Sequence, residues 1–286
     1  RFYDEKFKVY ALSRFSSHVD NEFSSKSAIE MIISQEIRDI VEEVLSTKFD
    51  IILNAACSYG KDNEPYSEIK YVNFTLPIEI FKALALSDQE SSIFVNLGTV
   101  LEESESHYAA TKQNLSNGLW KLAEQNRQIN LIDLKIGQVY GGLNNGKNFI
   151  NEAIDCCIKN VSEIRLKNGG QKRDFIYIDD LVEILFRLIK KASNFHFIKP
   201  VPIASREPKT IEEVVRLIKF ISNSKLKIKV DNAVQPNSRD ISQSIDFLDF
   251  LVMPPQKNFY DGLVEAYQTR QIFLTKRGED KLNSHV

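Results

Sequence analysis

SIFVNLGTVLEESESHYAATKQNLSNGLWKLAEQNRQINLIDLKIG, residues 92–137, is the stretch that decides the fold. The apolar run over 92–98 reads as a buried strand, 107–125 as a long helix, and 129–137 as a second buried strand. Strands apolar on both faces suit a parallel sheet covered on both sides, and the helix between them is the crossover that parallel strands require. The same alternation runs upstream. "FKVYALS" (7–13), "IEMII" (29–33) and "FDIILNAA" (49–56) read as strands. "SQEIRDIVEEVLSTK" (34–48) has helical spacing, with Ile37, Ile40, Val41, Val44 and Leu45 on one face and Ser34 as the expected N-cap. "TLPIEIFKALALS" (75–87) reads as a helix with Pro77 tolerated in its first turn.

Residues 1–140 therefore form the body of an α/β domain with a doubly wound parallel sheet of Rossmann type. Beyond it the pattern loosens. "YGGLNNGKN" (140–148) is rich in turn residues, whereas 149–160, 179–192 and 210–222 are helical, with Asp179 or Asp180 and then Thr210 as N-caps. Residues 141–270 are expected to be mostly a smaller α+β substrate-binding lobe, with elements after 170 returning to the first domain, and 271–286 a solvated tail.

Composition narrows the function. The chain has 286 residues, 43% hydrophobic, and a net charge of −2, which gives no strong field toward nucleic acid or a membrane surface. No apolar run approaches the roughly 20 residues that span a bilayer. Cys57, Cys156 and Cys157 have neither disulfide-framework nor zinc spacing, and His18, His107, His196 and His285 do not cluster, so no metal is expected. A reducing cytoplasm is the simplest compartment.

The chemistry sits in "SHYAATK" (106–112). Tyr108 and Lys112, four residues apart on a helix, share a face. An ammonium beside a phenol favours the phenolate and lowers its pKa from about 10, so that the tyrosine can pass a proton to or from a hydroxyl or carbonyl. Thr99 closes the preceding strand, where ligands meet open α/β sheets. A tyrosine and lysine at this spacing also occur on ordinary helix faces; the strand–helix context is what singles them out.

These residues resemble the Ser/Thr…Tyr-x-x-x-Lys centre of the short-chain dehydrogenase/reductase superfamily, extended type. Other segments agree in order. "FDIILNAACSYG", with Ala55 and Ala56, is similar to the strand beside the cofactor, and Asn73 in "YVNFTLPIEIFKAL" to the family's helix entry. "LKIGQVYGG" and "NGGQKRDFIYIDDLVEIL" are similar to later family segments, as is "NSRDISQSIDFLDFL". The likeness spans about residues 7 to 265. Only nine positions separate Thr99 from Tyr108, a compactness similar to the reductases of CDP-linked 4-keto-deoxyhexoses, the abequose and paratose synthase group. Glu102-Glu103 do not follow Thr99 directly, as the acidic pair of dehydratases does, and read as a solvated loop pair.

The resemblance implies an NAD(P)-dependent oxidoreductase of a nucleotide-diphosphate sugar, with Tyr108 giving the proton in reduction of a C4 carbonyl. Lys112 would lower the tyrosine pKa and hold the nicotinamide ribose, and Thr99 would bind the carbonyl oxygen. Arg173 and Arg239 match the family's phosphate-binding arginines, and Gln138 stands where the family often has asparagine. For each arginine a surface ion pair with a neighbouring aspartate is the plainer alternative. The resemblance also implies a homodimer.

No GxxGxxG or GxGxxG is found among the 11 glycines. "FKVYALSR" resembles the family's second strand, so the first strand and its glycine loop are expected to be missing from this sequence, as in a fragment of a longer protein. That strand ends at Ser13 and Arg14; an arginine there suits the extra phosphate of NADP, with NAD the second choice. Three alternatives stay open: a nucleotide-sugar 4-epimerase with tightly bound NAD, a non-catalytic binding or regulatory relative, and a structural or interaction module.

Overall fold

The computed structural model describes residues 7–13, 29–34, 36–60, 63–87, 92–126, 129–142, 148–194, 198–203, 205, 207–231 and 256–283. The chain divides into two compact units, Arg1–Leu134 with Phe186–Pro200, and Lys135–Leu185 with Val201–Val286. The expected boundary near 140 thus falls at 134, and the second unit is comparable in size to the first rather than a small lobe.

In the first unit, β1 (Val9–Ser13) pairs in parallel with β2 (Ile29–Ile33), Val9 opposite Ile29 and Ser13 opposite Ile33. A separate four-stranded sheet has the order β10-β5-β4-β3, built from β3 (Ile51–Asn54), β4 (Ile93–Thr99), β5 (Asn130–Ile136) and β10 (Ile198–Ile203). β3 runs parallel to β4, with Ile51 opposite Ile93 and Asn54 opposite Asn96. The crossover between β2 and β3 is α1 (Ile37–Ser46). It starts three residues later than the spacing suggested, because its cap position is Glu36, whose side chain makes no cap bond. Ser34 lies outside and instead accepts from the Glu36 N–H at 3.1 Å and donates to Asp39 at 2.9 Å.

Between β3 and β4 the structure adds a segment that the apolar pattern does not reveal. A short helix, α2 (Tyr66–Lys70), passes through one wide turn, Tyr71–Thr75, into α3 (Leu76–Leu86). In the wide turn the Leu76 N–H bonds back five residues to the Tyr71 carbonyl, immediately before Pro77, which has no N–H to continue the ordinary ladder. β4 leads through a single tight turn, Glu103–Glu105, to α4 (His107–Gln125), which holds the bounds read from the sequence.

The core of this unit lies where α1, α3 and α4 cover the sheet. Ile40, Phe81, Leu84, Phe94, Leu115, Leu119 and Leu131 are at most 1% exposed. Phe81 meets Phe94 edge-on, ring centroids 5.3 Å apart. Burying each such side chain stabilises the fold by about 1.5–3 kcal/mol.

In the second unit, β6 (Gln138–Tyr140) runs parallel to β9 (Phe175–Tyr177), and β7 (Glu163–Leu166) parallel to β12 (Lys227–Val230). β8 (Lys172–Arg173) pairs antiparallel with β11 (Lys209–Thr210). α5 (Phe149–Ile158) is capped by Asn148, which accepts from the Asn151 N–H at 2.8 Å. α7 (Ile211–Ile221) is capped by Thr210 as read, in a reciprocal box: Thr210 Oγ1 accepts from the Glu213 N–H, and Glu213 Oε2 from the Thr210 N–H. Tyr140, Phe175, Tyr177 and Phe259 form an aromatic cluster in the core, with centroids 5.4–6.4 Å apart.

Two expectations change here. α6 (Ile178–Lys191) already contains Asp179 and Asp180 in its first turn, so neither is the residue before the helix. They favour the helix start by charge, and Asp180 accepts from the Lys257 N–H at 3.1 Å. Of the segment read as a tail, residues 271–283 belong to α8 (Phe259–Asn283), a helix whose sequence is rich in Lys, Arg and Glu, good helix formers even without an apolar stripe.

Candidate active site

The site is built at the C-terminal ends of β3 and β4 and on the first turns of α4. β4 delivers Thr99, 4% exposed, at its last position. The turn that follows is tied down from α4: Gln113 Nε2 donates to the carbonyls of Thr99 (3.0 Å) and Leu101 (2.6 Å). Ser106 caps α4 by accepting from the Ala109 N–H at 3.1 Å, which sets the direction in which Tyr108 leaves the helix. Thr99 acts on Tyr108 through its side chain, favouring the charged form of the phenol.

Lys112 is 1% exposed. Its ammonium donates to the carbonyl of Ala56, at 2.8 Å, and of Leu97, at 3.1 Å. Ala56 lies in the loop after β3, and that loop is held by Asn73 from the wide turn. The Asn73 amide, wholly buried, accepts from the Ser58 N–H at 2.8 Å and donates to the Ser58 carbonyl at 2.8 Å and to Thr111 Oγ1 at 3.1 Å. Asn73 therefore fixes the loop that Lys112 bonds to. Below these residues runs a buried polar ladder: Asn54 donates to Asn96 at 2.9 Å, Asn96 to Asp133 at 2.8 Å, and Ser116 to the other oxygen of Asp133.

A cavity of about 470 Å³ opens in front of Tyr108, lined by Tyr59, Gly60, Ile69, Ser106 and His107 among others. Tyr59 lies against the Tyr108 ring at 4.8 Å, tilted by 34°, and Tyr66 against His107 at 5.0 Å.

The electrostatics depart from the expected pairing. The Tyr108 phenol is raised above its ordinary value, chiefly by burial and then by Cys57, with the Thr99 hydrogen bond opposing. Lys112 is lowered by burial, with Cys57 and Asp133 opposing. The expected lowering of the phenol by Lys112 is thus not what this arrangement produces. The ammonium points into two carbonyls, and the loss of water around the ring dominates.

The first unit brings together Thr99, Tyr108, Lys112, Ala56 and Asn73, with Ala55 exposed beside Ala56. Ser13 is the last residue of β1. Gln138 and Arg173 belong to the second unit: the Gln138 N–H donates to the Asp174 carbonyl at 3.0 Å, and Arg173 donates to Gln171 at 3.2 Å. Arg14 and Arg239 lie outside the described residues. Glu102 and Glu103 are exposed in the tight turn, as read. Sequence reasoning missed Cys57, Ser58, Tyr59 and Gln113. It also missed the ladder, whose signal was a polar residue inside each of three apolar strands.

Comparisons with known proteins give the family and the fold. Residues 1–197 match the model of the NAD dependent epimerase/dehydratase family. A CDP-abequose synthase of Salmonella muenchen is 26% identical over 230 residues, 78% of this chain and 76% of that protein. Among solved structures, the UDP-Glc/GlcNAc 4-epimerase from Campylobacter jejuni superposes with a TM-score of 0.77 at 14% identity, over 95% of this chain and 94% of that one. The UDP-glucuronic acid 4-epimerase from Bacillus cereus, in complex with UDP-glucuronic acid and NAD, gives 0.75 at 17% identity, over 95% and 93%. These structural likenesses establish the fold. No helix among the described residues is long and apolar enough to cross a membrane.

Proposed function

The chain belongs to the NAD dependent epimerase/dehydratase family, and from that premise we propose that it reduces the 4-keto group of a nucleotide-diphosphate sugar. The observation that carries this reading is the placing of Tyr108 on the first turn of α4, at the cavity, with Thr99 at the end of β4 and the buried Lys112 one turn further along the helix. A phenol so placed can pass its proton to a carbonyl oxygen as that carbonyl is reduced. The similarity to a CDP-abequose synthase supports a CDP-linked deoxyhexose as the substrate class.

The donors present fit the ribose of a nicotinamide dinucleotide. An ammonium carries three N–H groups, and Lys112 gives two to backbone carbonyls, which leaves a third for a ribose hydroxyl. Ser13, Arg14, Ala55 and Ala56 would line the rest of that site, with Arg14 suited to the extra phosphate of NADP. Such a cofactor supplies hydride when bound. Tyr108 passes its proton to the carbonyl oxygen as that oxygen gains charge, and Thr99 hydrogen-bonds the same atom. Thr99, which favours the charged form of the phenol, then helps to stabilise the phenolate left behind. Gln138, Arg173 and Arg239 are proposed substrate contacts, the arginines for the diphosphate.

The test is oxidation of NADPH or NADH, followed at 340 nm, with a CDP-4-keto-6-deoxyhexose, and identification of the product by NMR. Stoichiometric cofactor oxidation with a new C4 hydroxyl is the expected result. Inversion at C4 of a sugar hydroxyl with no net cofactor oxidation would replace this reading with an epimerase.

A further inference from the structure

We propose that Asp133 is a positioning residue that keeps Lys112 charged. Asp133 stands in the middle of β5, flanked by wholly buried Ile132 and Leu134, and is itself 0% exposed. Its two oxygens accept from Asn96 Nδ2 and Ser116 Oγ. Each partner leads to Lys112 in one step. Ser116 lies one helical turn beyond Lys112 on the same face of α4. Asn96 precedes Leu97, whose carbonyl takes the ammonium. The ladder continues from Asn96 to Asn54 (2.9 Å), and Asn54 Oδ1 accepts from the N–H of Ala56 (3.3 Å), whose carbonyl is the second acceptor of Lys112.

A polar ladder that only set strand register would work with an amide at every rung. A carboxylate in an apolar interior costs several kcal/mol unless a cation offsets it. Lys112 is the buried cation beside this ladder, and a buried ammonium has the converse need. The groups that act on it can be named by element. The loop after β3 brings Cys57, and β5 brings Asp133; both favour the charged ammonium against burial. β4 offers the Leu97 carbonyl, and α4 itself carries Tyr108. Cys57 is an exposed thiol, whereas Asp133 is shielded from water, so its field reaches Lys112 unscreened.

The experiment is an NMR titration of 13Cε-labelled lysine, with the Lys112 resonance assigned through Lys112→Arg, on the wild type, Asp133→Asn and Cys57→Ser. Asparagine keeps both hydrogen bonds, because the Ser116 hydroxyl can turn from donor to acceptor, and removes only the charge. Asp133→Asn should lower the Lys112 midpoint by about one unit or more, and Cys57→Ser by less than about 0.3. An unchanged midpoint in Asp133→Asn, or the whole drop reproduced by Cys57→Ser, overturns the proposal. Should Asp133→Asn not fold, the wild type still decides: a Lys112 already neutral at pH 7 overturns it, and a charged one supports it.

The consequence for turnover rests on the proposed reduction. The alkaline limb of kcat/KM in Asp133→Asn should move to lower pH by the same amount as the NMR midpoint. A wild type that oxidises no cofactor with any 4-keto sugar sinks the reduction and leaves the titration standing.

Discussion

Asn73→Ala tests how the site is held. The wild-type amide makes three hydrogen bonds, two of them to the backbone of Ser58, a residue only 7% exposed. Alanine leaves the Ser58 N–H and C=O inside the protein without these partners, at about 1–3 kcal/mol each. Thr111 loses a donor as well, and a small void remains. The sum is a destabilisation of about 3–5 kcal/mol, read as a lower urea midpoint at constant m. The same substitution should reduce turnover by more than tenfold, because the loop that offers the Ala56 carbonyl to Lys112 is no longer pinned. A cost below about 1 kcal/mol for Asn73→Ala would refute the reasoning, since it would mean that Ser58 finds other partners at no loss.

On the proposed reduction, Tyr108→Phe should lower kcat by about 10²–10⁴ while cofactor affinity, read by fluorescence titration, changes little. Gly141→Ala should destabilise by about 2–4 kcal/mol, since Gly141 has φ +88° and a Cβ there would run into the Tyr177 ring; calorimetry checks this. The Arg270 side chain bonds both oxygens of Asp155, at 2.7 and 2.9 Å, so Arg270→Met should cost about 2 kcal/mol at neutral pH. Burial alone would raise the Asp155 carboxyl, but Arg270 and then Lys159 hold it below its ordinary value. Its contribution is therefore present above about pH 4 and lost as pH falls through the folded value, so the wild-type advantage over Arg270→Met should shrink in acid denaturation curves.

How much of this was readable beforehand depended on whether the signal was local. α4 showed its bounds in the sequence because a serine cap, a long amphipathic run and a polar end lie within one window. Thr210 announced α7 for the same reason. α2 and the wide turn after it were invisible, because a five-residue turn breaks the 3.6 period that such reading relies on. β7 and β12, four residues each, carry too few positions for a pattern. In the site, the Tyr108–Lys112 spacing and the strand-end Thr99 could be read directly. The acceptors of Lys112 could not, since they are backbone carbonyls and leave no mark in the residue types. The raised phenol was missed because burial depends on the loop carrying Tyr59, far away in sequence. Asn54, Asn96 and Asp133 went unremarked, because single polar residues inside apolar strands become one ladder only when the register places them side by side.

The pairing of β1 with β2 alone has a consequence for how the molecule breathes. Their ladder is shared with no other strand among the described residues, whereas β3, β4, β5 and β10 lock one another. A two-stranded parallel ribbon is marginal by itself. Amide hydrogens of Val9–Ser13 and Ile29–Ile33 should exchange with deuterium through local opening, while those of Ile93–Thr99 and Asn130–Ile136 wait for global unfolding. The strand that ends at Ser13 would then be the part of the first unit that a bound dinucleotide protects most, and slowed exchange there would report occupancy without any turnover.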